Sequence, residues 1–81
     1  EVQSMMNHIT NQDWLENVRD CVNRIPHHEF SLDDVYVFEK ELQRKYPDNH
    51  HIKAKIRQQL QLLRDEGSLT FLGNGNYRKT L

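Results

Sequence analysis

The sequence has one cysteine, two prolines and three glycines among its 81 residues, and each scarcity excludes something. A lone Cys21 leaves no partner for an internal disulfide and rules out a cysteine-rich zinc site, which suits a reducing cytoplasm. No run approaches the ~20 apolar residues that a membrane helix needs. There is no internal repeat and no low-complexity tract. The chain opens at Glu1 with no basic start leading into an apolar stretch, so no signal peptide is expected and a piece of a longer protein is. One domain is all that this length allows. Such a chain buries only about 60–65% of its unfolded surface, which gives one small core and no room for a buried catalytic cavity. With 36% hydrophobic and 28% charged residues, the composition is polar yet foldable.

A net charge of −1 conceals a strong polarity. Residues 1–41 carry nine acids and three bases, while residues 42–81 carry eight bases and three acids. The halves therefore stand at −6 and +5. A small domain with that asymmetry is expected to turn its basic end toward an anion, and nucleic acid is the commonest large one.

Residues 1–9 have no clear period and read as a loose end or linker remnant, with one folded unit over residues 10–81. Thr10 offers an N-cap, with Asp13 as its box partner. Trp14, Leu15, Val18, Val22 and Ile25 then recur at helical spacing until Pro26 stops them, which predicts a first helix over about 11–25. Trp14 is expected to anchor the core between that helix and a sheet. Phe30 reads as a short extended residue at a sheet edge. Ser31 with Asp34 forms a second capping box, and Val35, Phe38 and Leu42 supply the stripe of a second helix that Pro47 ends. The turn Pro47-Asp48-Asn49-His50 leads into a third helix, with Asp48 or Asn49 as its cap. That helix runs to about Glu66, where Gly67 suits a left-handed terminator. Leu69 and Phe71 then alternate with Ser68, Thr70 and Leu72, Gly73-Asn74-Gly75-Asn76 turns the chain, and Tyr77 begins a return strand. The pattern predicts an α+β winged helix-turn-helix: three helices and a small antiparallel sheet made of a short strand plus a C-terminal wing hairpin.

At about 100° per residue, Ile52, Ile56, Gln59, Leu60 and Leu63 share one face of the third helix. Opposite them lie His50, Ala54, Gln58, Gln61 and Asp65. Lys53, Arg57 and Arg64 edge one side, and His51 and Lys55 the other. Leu62 falls off the stripe and is expected to pack under the hairpin. Amides facing outward between two rows of cations suit a helix in a major groove, which is about 12 Å wide. Amides can pair with base edges there, and cations reach the phosphate walls. Ala54 is small enough to let the backbone approach a base methyl. At the wing, Asn74 and Asn76 with Arg78 and Lys79 behind them are candidates for a minor groove or the backbone.

The segments Tyr46-Pro47-Asp48-Asn49, Ile52-Lys53-Ala54-Lys55-Ile56-Arg57-Gln58-Gln59-Leu60-Gln61, Leu63-Arg64-Asp65-Glu66-Gly67 and Phe71-Leu72-Gly73-Asn74-Gly75-Asn76-Tyr77-Arg78 resemble the C-terminal winged-helix domain of DpnI-type restriction endonucleases and of the dam-replacing family. Phe30 to Glu39 resembles it too, so the likeness spans about residues 14–79. It implies a reader of double-stranded DNA, directed at GATC whose adenine carries an N6-methyl group, in a bacterial or archaeal cytoplasm. It also implies a nuclease domain elsewhere in the parent chain, since Pro47-Asp48 has no downstream D/E-x-K. By position, Lys55–Gln61 would face the groove and Gly73–Arg78 would form the wing. The candidate DNA-binding residues are His50, His51, Lys53, Ala54, Lys55, Arg57, Gln58, Gln61, Arg64, Asn74, Asn76 and Arg78. The module is expected to act as a monomer, with no catalytic residue and no cofactor.

Other signals are weaker. The pairs His27-His28 and His50-His51 lack metal-ligand spacing and read as loop and cap residues. Beside DNA, His50 and His51 could take up a proton and touch phosphate, so that affinity rises as the pH falls toward about 6. Asp33, Asp34, Glu39 and Glu41 have no pocket for acid–base work. Two alternatives stay open: a sequence-specific regulator without methyl dependence, and a winged helix used for protein contacts.

Overall fold

Trp14, Val18, Cys21, Val22 and Ile25 recur at three- and four-residue spacing, and they drive helix α1, Asn11–Arg24, into the core. The helix ends because Pro26 has no N–H to continue it; the last turn tightens with the Ile25 N–H on Val22 O at 3.1 Å. The computed structural model describes residues 11–80. The Thr10 cap and the loose end assigned to residues 1–9 lie outside the described residues.

Strand β1, Glu29–Ser31, leads directly into helix α2, Leu32–Tyr36. Both halves of the capping box form: Ser31 Oγ accepts from the Asp34 N–H at 3.3 Å, and the Ser31 N–H donates to Asp34 Oδ2 at 2.8 Å. The second predicted helix is in fact two, since helix α3 spans Glu39–Lys45. At the junction the Phe38 N–H bonds to Val35 O at 3.0 Å, three residues back rather than four. Two β-branched valines at 35 and 37 weaken helix propensity there. The tighter turn keeps Val35 and Leu42 buried, leaves Val37 73% exposed, and brings the Phe38 ring 4.6 Å below the Arg24 guanidinium.

Pro47 disfavours helical geometry at Tyr46, and α3 stops there. The turn that follows is braced by Gln43, whose Nε2 donates to Tyr46 O at 3.1 Å and Asn49 O at 2.9 Å. Asn49 Oδ1 in turn accepts from the His51 N–H at 2.7 Å. Helix α4, Ile52–Asp65, then starts with His51 itself in the cap position and no side-chain cap bond. The predicted Asp48 or Asn49 cap is thus corrected: Asn49 supports the turn one step before the helix. At the other end Gly67 (φ 92°) lets its own N–H reach Arg64 O and the Ser68 N–H reach Leu63 O, the paired closure that a left-handed glycine permits.

Strands β2, Leu69–Gly73, and β3, Asn76–Lys79, form the wing. Asn74 and Gly75 take φ of 53° and 75°, the geometry of a two-residue hairpin turn whose twist matches the strands. A bulge between Phe71 and Gly73 resets the register. The antiparallel sheet runs β1-β3-β2, with the Tyr77 ring 5.6 Å from Phe30 and 5.3 Å from Phe71. Gly75 O accepts from the Leu32 N–H at 2.9 Å, tying the wing turn to the start of α2.

The architecture is an α+β winged helix-turn-helix, with four helices among the described residues rather than three. Ile52, Ile56, Leu60 and Leu63 of α4 form its centre, against Val18 of α1, Val35 of α2 and Leu42 of α3. Trp14 is buried, but it stacks on Tyr46 at 4.1 Å, at the α3–α4 turn. Leu62 remains 40% exposed, so the expectation that it packs under the hairpin fails: its place on the helix points it beside the stripe, and Leu69 fills the space where β2 meets the core.

Candidate nucleic-acid interface

With four aliphatic residues and Gln59 turned inward, much of the remainder of α4 faces solvent. Lys53, Ala54, Arg57, Gln58 and Gln61 are exposed, and Lys55 and Arg64 are half-buried. The outward amides of Gln58 and Gln61 share a surface with Ala54, as helical periodicity requires. Three basic residues beside them contact aromatic side chains. Lys53 Nζ lies 5.1 Å from the centre of the Tyr36 ring, and Arg57 Nη1 donates to the Tyr36 hydroxyl at 3.0 Å. Lys55 Nζ lies 5.9 Å from the centre of the Trp14 ring. A neutral ring steadies a cation while leaving its charge in place.

An open hollow of about 520 Å³ lies at the N-terminal end of α4. His50, His51, Ala54, Lys55 and Gln58 line it, joined by Asp48 and Asn49 of the turn. Because no side chain caps the helix here, the unpaired N–H groups of its first turn add partial positive charge.

The remaining candidates are placed differently. Arg64 Nη2 is 3.6 Å from Asp65 Oδ1, and its guanidinium sits 5.9 Å from the centre of the Phe71 ring. Arg78 lies opposite Glu29 in the sheet and is paired with it at 3.0 Å. Asn76 Nδ2 closes the wing turn on Gly73 O at 3.3 Å and Asn74 O at 3.4 Å, whereas Asn74 is exposed at the tip. The structure therefore brings together the candidates from His50 to Gln61, and it turns Arg78 toward β1 and away from them.

Two arginines of α1 pair with carboxylates of other segments. Arg19 reaches Glu66 at 2.6 Å, and Arg24 reaches Glu41 at 2.8 Å. Those hydrogen bonds hold the Glu66 and Glu41 carboxyls below their ordinary range. Burial pushes the Cys21 thiol up, as befits a core side chain rather than a nucleophile. Among the described residues no group of three or more His, Cys, Asp or Glu side chains gathers where a metal could bind, and no helix is long and apolar enough to cross a membrane.

One contact was not visible in the sequence: Tyr36, at the edge of the core, stages both Lys53 and Arg57, and no local pattern links position 36 to helix α4.

The description "Dam-replacing HTH domain" is that of a protein family matching residues 10–79, nearly the whole chain and the whole of the fold set out above.

Proposed function

Because the chain belongs to the Dam-replacing HTH domain family, a DNA-binding helix-turn-helix module, we propose that it reads double-stranded DNA carrying N6-methyladenine in a GATC-type site, with α4 in the major groove. The observation that carries this reading is the outward face of α4. Exposed Gln58 and Gln61 stand beside Ala54, and Lys53 and Arg57 lean on Tyr36 rather than on carboxylates. Such a face offers amides to base edges and cations to the phosphates on either wall. The methyl group of a modified adenine needs a small or apolar surface, for which Ala54 at the hollow is suited. The single N–H left on that N6 is engaged by thymine in the base pair, which leaves the adenine N7 as the open acceptor, and Gln61 is our candidate donor to it.

The test is a titration with two otherwise identical duplexes, one N6-methylated on both strands of GATC and one unmethylated, at the same salt. Tighter binding to the methylated duplex is expected. Equal affinities would remove the methyl dependence and leave a sequence-specific DNA module. Absence of any duplex binding at low salt, where phosphate contacts are strongest, would point to protein contacts instead.

A further inference from the structure

Gln59 is the buried polar side chain of the core, fully enclosed on the same face of α4 as Ile56, Leu60 and Leu63. Its Nε2 donates to Gln58 Oε1 at 3.3 Å, and its own Oε1 has no hydrogen-bond partner among the described residues. Leaving a buried polar atom unpaired destabilises a fold, and an aliphatic residue of similar volume would avoid that penalty. Stability therefore does not account for a glutamine here, whereas its contact with an outward-facing neighbour does.

An exposed glutamine has two interchangeable ends, a carbonyl that accepts and an amino group that donates. Gln58 lines the hollow at the start of α4, and its carbonyl oxygen is the end tied to Gln59. We propose that Gln59 is a positioning residue. It holds the Gln58 carbonyl inward, so that Gln58 presents its N–H donors to the groove and selects a base-edge acceptor such as a purine N7. Fixing the rotamer beforehand also lowers the ordering that binding requires. The assignment rests on the DNA-reading role above and deepens it.

The test is a double-mutant cycle with Gln59→Met and Gln58→Ala, read on a short duplex containing N6-methylated GATC; Gln59→Leu serves as a second replacement. Gln59→Met should raise Tm by about 4–8 °C, the shift expected in so small a domain for relieving one buried unpaired group. It should also weaken duplex binding roughly fivefold, about as much as Gln58→Ala, with the double variant little worse than either single one. Gln58→Glu, which accepts but cannot donate, should bind no better than Gln58→Ala. Full affinity in Gln59→Met and Gln59→Leu, multiplicative losses in the double variant, or full affinity in Gln58→Glu would each overturn the assignment. Failure of the unsubstituted protein to bind duplex in a salt-dependent way defeats the DNA reading itself; ordinary salt-dependent binding with uncoupled positions defeats only the positioning role.

Discussion

Arginines on α1 and the sheet end on carboxylates, whereas Lys53 and Arg57 in the first half of α4 end on a tyrosine. Arg19, Arg24 and Arg78 meet Glu66, Glu41 and Glu29 within 3.0 Å. Lys53 and Arg57 meet the ring and hydroxyl of Tyr36. Surface ion pairs contribute little stability individually, but they remove the net charge of both partners. Contact with a neutral ring does not. The outward face of α4 thus presents Lys53 and Arg57 beside a neutral side chain, and an anion approaching that face meets positive charge.

The comparison breaks most severely when the inner face of α4 is emptied. Leu60→Ala, at a position with no exposure, should cost about 2–5 kcal/mol, measured by urea unfolding, because it removes buried apolar surface and leaves a cavity. A loss below that range would mean that the core collapses around the gap.

A sharper probe sets the two kinds of cation against each other. Replacing Lys53 and Arg57 together with Ala should weaken duplex binding by about tenfold or more and flatten the logarithmic salt dependence by about two. Arg78→Ala, which removes a cation already paired with Glu29, should leave affinity within about twofold, as expected for a residue outside the contact face. Equal losses from both, by anisotropy over a salt series, would erase the distinction.

The wing turn gives a smaller effect. Gly75 has a φ of 75°, and a Cβ there would sit 3.4 Å from Leu32 Cδ1. Gly75→Ala should therefore destabilise by about 1 kcal/mol, visible as a lower Tm. If DNA binding survives intact below that Tm, the wing acts as a support.

The smallest effect is on the ion-paired side. Glu41 and Glu66 have lowered pKa values through their hydrogen bonds to Arg24 and Arg19. Stabilisation from a depressed carboxyl is present above its unfolded pKa and fades as the pH falls through the folded one. Glu66 is exposed and Glu41 only half-buried, so a slight fall in Tm is expected as the solution is acidified through the carboxylate range. Glu41→Gln with Glu66→Gln should reduce that slope. An unchanged slope would show that these pairs contribute nothing to stability.

Features governed by near neighbours in the chain could be read in advance. The stripes of α1 and α4, the Ser31–Asp34 box, the Gly67 terminator and the Asn74-Gly75 turn each depend on bonds or spacings within a few residues. The same holds for the exposure of Gln58 and Gln61, since helical period places them opposite Ile56 and Leu63. The break at Val37–Phe38 was not legible, because Val35, Phe38 and Leu42 fit one continuous helix until the ring of Phe38 meets Arg24 of α1. Trp14 was correctly assigned to the core but not to Tyr46, a residue 32 positions away.

Side-chain chemistry and periodicity alone determined which elements form and which face of α4 is polar, because those follow from covalent spacing along a helix or hairpin. Only the tertiary structure decided which cations meet a carboxylate and which a neutral side chain. Partners such as Tyr36 for Arg57, Glu29 for Arg78 and Glu66 for Arg19 come from distant segments, and which of them meet is settled when the helices and sheet pack together.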